Sequence, residues 1–244
     1  MSLIQTAMIM AAGHGTRMRP LTNDKSKAMV DLGGKPLIDH MLDRLAAIGI
    51  KRAVVNVHAH ADHLDAHLKA RMTGPEIIIS DERDALLETG GGVVKALPLL
   101  GSAPILICNI DAIWVEFEDV LTGLMAQWNP KHMDELLLLA RRDACLGYFG
   151  AGDFDLGAKD HIMRRTGETA DHVYAGVQIF KPELAKGFSL APFSRNKIWD
   201  ETLKRKRIFG HELKGYWMHV GDPKSRLSAE AVLQEVARSR SDIA

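Results

Sequence analysis

The sequence predicts an α/β protein built on a doubly wound, mixed but mostly parallel β-sheet. Short apolar runs alternate with stretches of helical periodicity through the first half of the 244-residue chain. Glycine-rich turns begin at Gly13 and at Gly90, and Asp111 directly follows another apolar run. Because ligands in such folds bind beyond the carboxyl ends of the strands, we expect these three places to lie together.

Each predicted element of the first half rests on a local pattern. Ala7-Met8-Ile9-Met10 is short, apolar and uncharged, as is typical of a buried strand. Apolar residues between Leu37 and Ile48 fall on one face of a helix that ends before Gly49. The remaining predictions are a turn at 31–36, strands at 53–57, 76–79 and 104–108, and helices at 61–70 and from the 90–92 glycines to Leu97.

The second half of the chain is less regular. The apolar run 135–140 could form a strand or a helix, and its place in the alternation favours a strand. The other predictions are strands at 172–180, 207–213 and 216–220, a helix at 196–205 and a last helix from Pro223. No internal repeat is visible, so we predict a single domain, residues 1–244.

The composition excludes several classes of protein. Lys plus Arg and Asp plus Glu both number 31, and this balance argues against bulk binding of nucleic acid or of an anionic membrane. Cys108 and Cys145 have no metal-type spacing, and no apolar run has transmembrane or signal-peptide character. We therefore expect a cytoplasmic protein, and the sequence leaves its oligomeric state open.

The loop after the first predicted strand has the character of a phosphate site. Gly13 and Gly15 allow a sharp turn, and Arg17 and Lys27 follow as cations. Backbone N–H groups in such a turn cradle phosphate oxygens, and the cations neutralise them. The dinucleotide fingerprint is absent because Met18 replaces its third glycine, and no Gly-Lys-Ser/Thr run exists for a P-loop.

Residues Gly13 to Thr22 resemble the Gly-x-Gly-Thr-Arg-Met-x-Pro-Leu-Thr signature of the sugar-phosphate nucleotidylyltransferases. Lys27 matches the lysine of this family, although Ser26 stands where the family has proline. The resemblance implies a Rossmann-like, GT-A-like three-layer αβα fold with a nucleotide-binding half, 1–115, and a sugar-binding half, 116–244. It also implies Mg²⁺-dependent transfer of a nucleoside monophosphate from a nucleoside triphosphate to a sugar 1-phosphate, with release of pyrophosphate.

The same resemblance assigns roles to individual residues. Arg17 would act on the leaving phosphates, and Lys27 near the α-phosphate and the incoming sugar phosphate. The expected nucleotide-binding residues are Ala11, Ala12, Gly13, Gly15, Thr16 and Gly90. The expected sugar-binding residues are Glu88, Asn109, Asp153 and Gly176.

The expected metal site contains one clear ligand and one departure from the family. Asp111, in Asn109-Ile110-Asp111, matches the aspartate that holds Mg²⁺ in the family. In Trp217-Met218-His219-Val220-Gly221-Asp222, His219 occupies the place of the second ligand and Asp222 that of a threonine. Mg²⁺ prefers oxygen ligands, so either Asp222 reaches the ion, or Asp111 and substrate phosphates suffice, or His219 favours another metal such as Mn²⁺.

The segment from Leu86 to Gly101 narrows the resemblance. It is similar to that of the N-acetylmuramate-1-phosphate uridylyltransferases of peptidoglycan recycling, which implies UTP and N-acetylmuramate 1-phosphate as substrates. The alternatives are a mannose-1-phosphate guanylyltransferase or a hexose-1-phosphate thymidylyl- or uridylyltransferase. From other classes, the chain could be a non-catalytic nucleotide-binding regulator or, less favoured, a metal hydrolase built on His58 and His60.

Overall fold

A computed structural model describes residues 4–241. The helices are α1 Leu37–Ala47, α2 Ala61–Ala70, α3 Glu88–Leu100, α4 Val120–Gln127, α5 Asn196–Lys204 and α6 Pro223–Ser241. The first seven strands are β1 Thr6–Met10, β2 Asp31–Leu32, β3 Lys35–Pro36, β4 Arg52–Val57, β5 Glu76–Asp81, β6 Ile105–Asn109 and β7 Ala112–Glu116. The other strands are β8 Glu135–Arg141, β9 Cys145–Leu146, β10 Phe154–Leu156, β11 Ile162–Arg164, β12 His172–Phe180, β13 Ile208–Glu212 and β14 Gly215–His219.

A nine-stranded sheet forms the centre of the molecule, with the path β11-β10-β12-β6-β1-β4-β5; off this path, β8 pairs with β12 and β13 pairs with β8. The pairs β1–β4, β1–β6 and β4–β5 are parallel. β12 runs antiparallel to both β6 and β8. The predicted mixed, mostly parallel α/β sheet is therefore confirmed, and the antiparallel strands come from the second half of the chain.

Helices cover both faces of this sheet because apolar side chains alternate along its strands. Ala7 and Ile9 of β1 pack in one buried cluster with Leu42 of α1. Met8, the residue between them, points to the other face and packs with Val93 of α3. Each fully buried aliphatic side chain contributes about 1.5–3 kcal/mol, so the two clusters hold three layers together.

A second sheet joins the two halves of the chain, in the order β7-β14-β9. β7 begins one residue after Asp111, and Ala112 pairs with His219 at the end of β14. The sequence analysis missed β7, because an apolar run so soon after β6 leaves no room for a helix between them. This pairing brings the C-terminal motif to the edge of the main sheet where Asp111 lies.

Most predicted elements are present with small shifts of their ends. The ambiguous run at 135–140 is the strand β8. The predicted turn at 31–36 contains the short paired strands β2 and β3. α3 continues past Leu97 to Leu100 and ends at Gly101, whose φ of 76° is the left-handed conformation that glycine favours. No helix that the structure describes is long and apolar enough to cross a membrane.

Candidate active site

A cavity of about 610 Å³ opens beyond the carboxyl ends of β1, β4 and β6. Ten of the predicted site residues line it. Six belong to the first loop: Ala11, Ala12, Gly13, Gly15, Thr16 and Arg17. The other four are Lys27, Glu88, Asn109 and Asp111. The structure thus gathers the first glycine loop, residues Glu88 and Thr89 just before the second glycine cluster, and Asp111 around one space, while the glycines 90–92 themselves lie outside its lining.

The first loop is folded tightly around Gly15. This residue has a φ of 64°, and its carbonyl oxygen accepts hydrogen bonds from the Met18 N–H at 2.9 Å and the Thr22 hydroxyl at 2.8 Å. A Cβ atom at Gly15 would lie 3.0 Å from the Lys27 Cβ, so the glycine also permits close packing of Lys27. Met18 is fully buried and anchors the loop, which leaves Arg17 exposed beside the cavity.

Lys27 and Asp111 form an ion pair in the cavity wall, with Lys27 Nζ 2.6 Å from Asp111 Oδ2. Burial alone would raise the pKa of Asp111, but the Lys27 ammonium group holds that pKa below its usual value. Ser26 accepts a hydrogen bond from Ala28 N–H through its hydroxyl and caps the short turn that carries Lys27. Serine at the family's proline position therefore keeps the lysine in place by a different means.

His219 lies near both Asp111 and Asp222, but neither His219 nor Asp222 lines the cavity. Burial lowers the pKa of the His219 imidazole, although the Asp111 carboxylate acts in the opposite direction. Asp222 Oδ1 accepts the Ser225 N–H at 2.9 Å at the start of α6, which lowers the Asp222 pKa. Within residues 4–241, no group of three or more His, Cys, Asp or Glu side chains is arranged to hold a metal ion.

The donor set of the cavity nevertheless suits one kind of metal binding. Asp111 supplies a carboxylate oxygen, and Mg²⁺ is commonly held by one or two carboxylates together with substrate phosphates. Asp222 already uses one carboxylate oxygen as a helix cap. Of the three arrangements left open by the sequence, the one that relies on Asp111 and substrate phosphates fits these contacts best.

Besides His219 and Asp222, three more predicted site residues are not part of the cavity lining. Gly90 donates its N–H to the Phe193 carbonyl at 2.8 Å, and a Cβ there would lie 2.2 Å from the Phe193 ring, so its place is explained by packing. Asp153 accepts the Tyr174 N–H at 2.9 Å and ties β10 to β12. Gly176 has a φ of 88° within the irregular stretch of β12 and packs close to Asn109.

Asn56 of β4 is a cavity residue that the sequence analysis missed. Its Oδ1 atom accepts the N–H groups of Ala11 at 2.7 Å and Ala12 at 3.2 Å. Both N–H groups are therefore already bonded, which limits what these two residues can offer a nucleobase. A single amide inside the apolar run 53–57 was the available signal, since a buried polar residue needs a partner.

His14 also lines the cavity, and its ring meets the His58 ring edge to face with centroids 5.0 Å apart. The Nδ1 atom of His58 is 2.7 Å from the Glu82 carbonyl oxygen, so His58 is fixed by the backbone. The left-handed residue His60 precedes α2 with a φ of 52°. His58 thus packs against the loop through His14 and contacts the Glu82 backbone. This arrangement gives no support to the hydrolase hypothesis.

The fold and the cavity are those of an α/β protein with a ligand site beyond the carboxyl ends of its parallel strands, and comparison with known proteins names its family. Residues 6–142 match the family described as Nucleotidyl transferase, and the chain belongs to it. The chain is 48% identical to an N-acetylmuramate alpha-1-phosphate uridylyltransferase of Caulobacter vibrioides, across 94% of this chain and 97% of the relative. A protein of the same name from Neisseria meningitidis serogroup B is 33% identical, across 88% and 92%.

A solved structure supports the fold independently. A UDP-glucose pyrophosphorylase complexed with UDP-glucose superposes with a TM-score of 0.80 over 95% of this chain and 99% of that one, at 15% identity. The resemblance to the nucleotidylyltransferases is thereby confirmed, and the protein is a nucleotidyltransferase.

Proposed function

We propose that the protein transfers UMP from UTP to N-acetylmuramate 1-phosphate and so makes UDP-N-acetylmuramate and pyrophosphate for peptidoglycan recycling. The observation that carries this proposal is the joint placement of Arg17, Lys27 and Asp111 around one cavity in a chain of this family. The names of the two relatives support the choice of substrates. The two free cysteines support a reducing, cytoplasmic location.

The reaction requires alignment and charge stabilisation more than proton transfer. An oxygen of the sugar phosphate attacks the α-phosphorus of UTP. The bond from this phosphorus to the oxygen that bridges the α- and β-phosphates breaks, and pyrophosphate leaves. The second pKa of a phosphate monoester is near ~6, so the nucleophile is largely ionised at neutral pH and needs no general base. What the protein supplies is a fixed orientation for two anions that repel each other.

Arg17 and Lys27 suit this task by position. Arg17 is exposed at the open end of the first loop, where its guanidinium group can meet the β- and γ-phosphates that leave together. Lys27 is almost buried beside Asp111, deeper in the cavity, where it can contact the α-phosphate and the sugar phosphate. A phosphate oxygen near Lys27 would compete with Asp111 for the ammonium group.

We assign the metal site to Asp111, with His219 and Asp222 as its neighbours rather than as a complete ligand set. Mg²⁺ is the expected ion, and Mn²⁺ is the alternative because His219 offers an imidazole nitrogen. When bound, such an ion supplies positive charge that stabilises the phosphates during transfer. We also assign Asn109 as a contact of the sugar. Asn109 is the last residue of β6, lines the cavity and packs against Gly176.

A grid of substrates tests this proposal. Pyrophosphate release is measured with Mg²⁺ for UTP, GTP, dTTP and CTP against the 1-phosphates of N-acetylmuramate, mannose, glucose and N-acetylglucosamine. We expect a strong signal confined to UTP with N-acetylmuramate 1-phosphate. A signal elsewhere would keep the reaction and replace the substrates. Silence across the grid, with Mn²⁺ as well, would favour a non-catalytic nucleotide-binding regulator.

A further inference from the structure

Glu82 is a completely buried residue that follows β5 and lies beneath the nucleotide side of the cavity. Its Oε1 atom accepts the Asn56 Nδ2–H at 2.7 Å, and its Oε2 atom accepts the Leu87 N–H at 3.2 Å. Burying a carboxyl group is costly, and the cost is recovered only where its oxygens are well bonded. Both oxygens of Glu82 are used, and each bond leads to a different wall of the cavity.

The first bond fixes the loop after β1. Because Glu82 Oε1 accepts from the amide nitrogen of Asn56, the amide oxygen must face the other way. It faces the N–H groups of Ala11 and Ala12, which it accepts at 2.7 and 3.2 Å. The orientation of Asn56, and with it the path of the loop, is therefore set by Glu82.

The second bond fixes the opposite wall. Leu87 directly precedes α3, and the next residue, Glu88, has a φ of 57°. A left-handed glutamate is strained and persists only where surrounding contacts hold the backbone. Leu86, Glu88 and Thr89 line the cavity on either side of the Leu87 N–H that Glu82 accepts.

Gly92 shows how closely this pair is packed. A Cβ atom at Gly92 would lie 2.8 Å from Glu82 Oε1 and 3.0 Å from Asn56 Nδ2. Any larger residue would push α3 away from the bond between these two side chains. The third glycine of the cluster is thus explained by the buried pair rather than by contact with a ligand.

We propose that Glu82 is a positioning residue for the nucleotide, which sets the two walls of the triphosphate site at a fixed separation through Asn56 and Leu87. The inference rests on the proposed use of this cavity for a nucleoside triphosphate. It predicts that Glu82 governs affinity for the nucleotide more than affinity for the sugar 1-phosphate, because it reaches Glu88, the expected sugar contact, only through the Leu87 N–H. It touches neither substrate.

Exchanging the two side-chain types provides the test. In Glu82→Gln, the new amide nitrogen faces either the Asn56 Nδ2–H or the Leu87 N–H, and it can accept from neither. In Asn56→Asp, a carboxylate oxygen faces Glu82 Oε1 and has no hydrogen to donate. Each single variant therefore loses a buried bond. In the double variant the carboxylate at position 56 accepts from the loop and from the amide at position 82. That amide in turn accepts the Leu87 N–H. All the hydrogen bonds are restored, and only the one between positions 56 and 82 has its donor and acceptor reversed.

The measurements are the dissociation constant of the nucleoside triphosphate by calorimetry, the KM of each substrate, and the melting temperature. The nucleotide is whichever of UTP, GTP, dTTP and CTP the wild-type protein binds, so failure of the UTP assignment stays distinct from failure of this inference. We expect each single variant to bind about tenfold more weakly, as for one lost buried bond, and the double variant to recover to within about threefold. The exposed Glu76→Gln, on β5, is the matched control.

Two results would overturn the inference. One is nucleotide affinity equal to wild type in the single variants, with only the melting temperature lowered, since that describes a purely structural residue. The other is a double variant whose loss of nucleotide affinity equals the combined losses of the two single variants. If Glu82→Gln does not fold, Gly92→Ala replaces it, and the same weakening of nucleotide binding is expected because its methyl group presses on the pair. Unchanged binding in Gly92→Ala would then count against Glu82.

Discussion

Lys27 Nζ lies 2.6 Å from Asp111 Oδ2, across sequence positions that only the fold brings together. The lysine comes from the loop after β1 and the aspartate from the end of β6, two strands that are neighbours in the sheet. The ion pair therefore joins the group assigned to the phosphates with the group assigned to the metal. Each side chain keeps the other in position, so substituting either residue tests the proposed site directly.

Lys27→Met and Asp111→Asn are each expected to lower kcat by about 10²–10³-fold, the usual loss for one preorganised charge in an active site. Steady-state pyrophosphate release measures the effect, and circular dichroism checks that the fold is retained. Lys35→Met is the control, because Lys35 forms an equally short ion pair with Asp43 at 2.6 Å but on the exposed surface. A Lys27 variant as active as the Lys35 variant would remove Lys27 from the mechanism.

Arg17→Ala is expected to lower kcat/KM for the nucleoside triphosphate by about 10²–10³-fold, since the proposed role of its guanidinium group is to stabilise charge on the departing pyrophosphate. The same experiment with Arg19→Ala provides a matched control. Both arginines are exposed and belong to the first loop, but Arg17 alone of the two lines the cavity. Equal losses in the two variants would show that loop charge in general, and not Arg17, is what matters.

Gly90→Ala is expected to destabilise the protein by about 1–3 kcal/mol, the typical effect of overpacking a core. The new methyl group would lie 2.2 Å from the Phe193 ring, so the ring or α3 would have to shift. Urea unfolding measures the change. Gly187→Ala is the control, because Gly187 is exposed and a Cβ there meets nothing within 4 Å. Equal stability of the two variants would contradict the packing role.

Glu135 predicts a pH dependence of stability. Burial raises its pKa from 4.5 to about 7, against the smaller effects of Thr202, Arg195 and Gln178. Because the folded pKa is the higher one, the stabilising contribution is complete below about pH 4.5 and is lost as pH rises through about 7. The full difference corresponds to roughly 3 kcal/mol.

Glu135→Gln removes this titration, so the free energy of unfolding of wild type should fall relative to the variant between about pH 5 and about pH 8. Urea unfolding at the two pH values measures it. For the exposed control Glu76→Gln, the free energy of unfolding should change between the two pH values by as much as that of wild type. A constant difference between wild type and Glu135→Gln would show that Glu135 titrates in its ordinary range.

The sequence predicted the parts of the molecule that depend on local patterns. β1, α2 and β12 are visible as apolar runs or periodic faces, and the loop from Gly13 to Thr22 carries its own signature. What it could not predict are contacts between distant segments. The bond of Asn56 to the loop, the ion pair of Lys27 with Asp111 and the packing of Gly90 on Phe193 all join residues whose relative places only the fold determines.

The roles of the glycines show the same limit. Three adjacent glycines predict that another group packs closely against the backbone, but the sequence does not identify that group. The structure gives all three of them protein partners: Gly90 meets Phe193, Gly91 meets the Ala191 carbonyl oxygen, and Gly92 meets the pair of Asn56 and Glu82. Glu88, immediately before the cluster, lines the cavity.

The pairing of Ala112 with His219 has a consequence for how this enzyme is made. The match to the Nucleotidyl transferase family ends at residue 142, yet β14, which carries His219 to the edge beside Asp111, comes much later. A nascent chain that has left the ribosome as far as residue 142 already contains the phosphate loop, Lys27 and Asp111. It still lacks the strand that completes the small sheet, so catalytic competence should be one of the last properties acquired during synthesis.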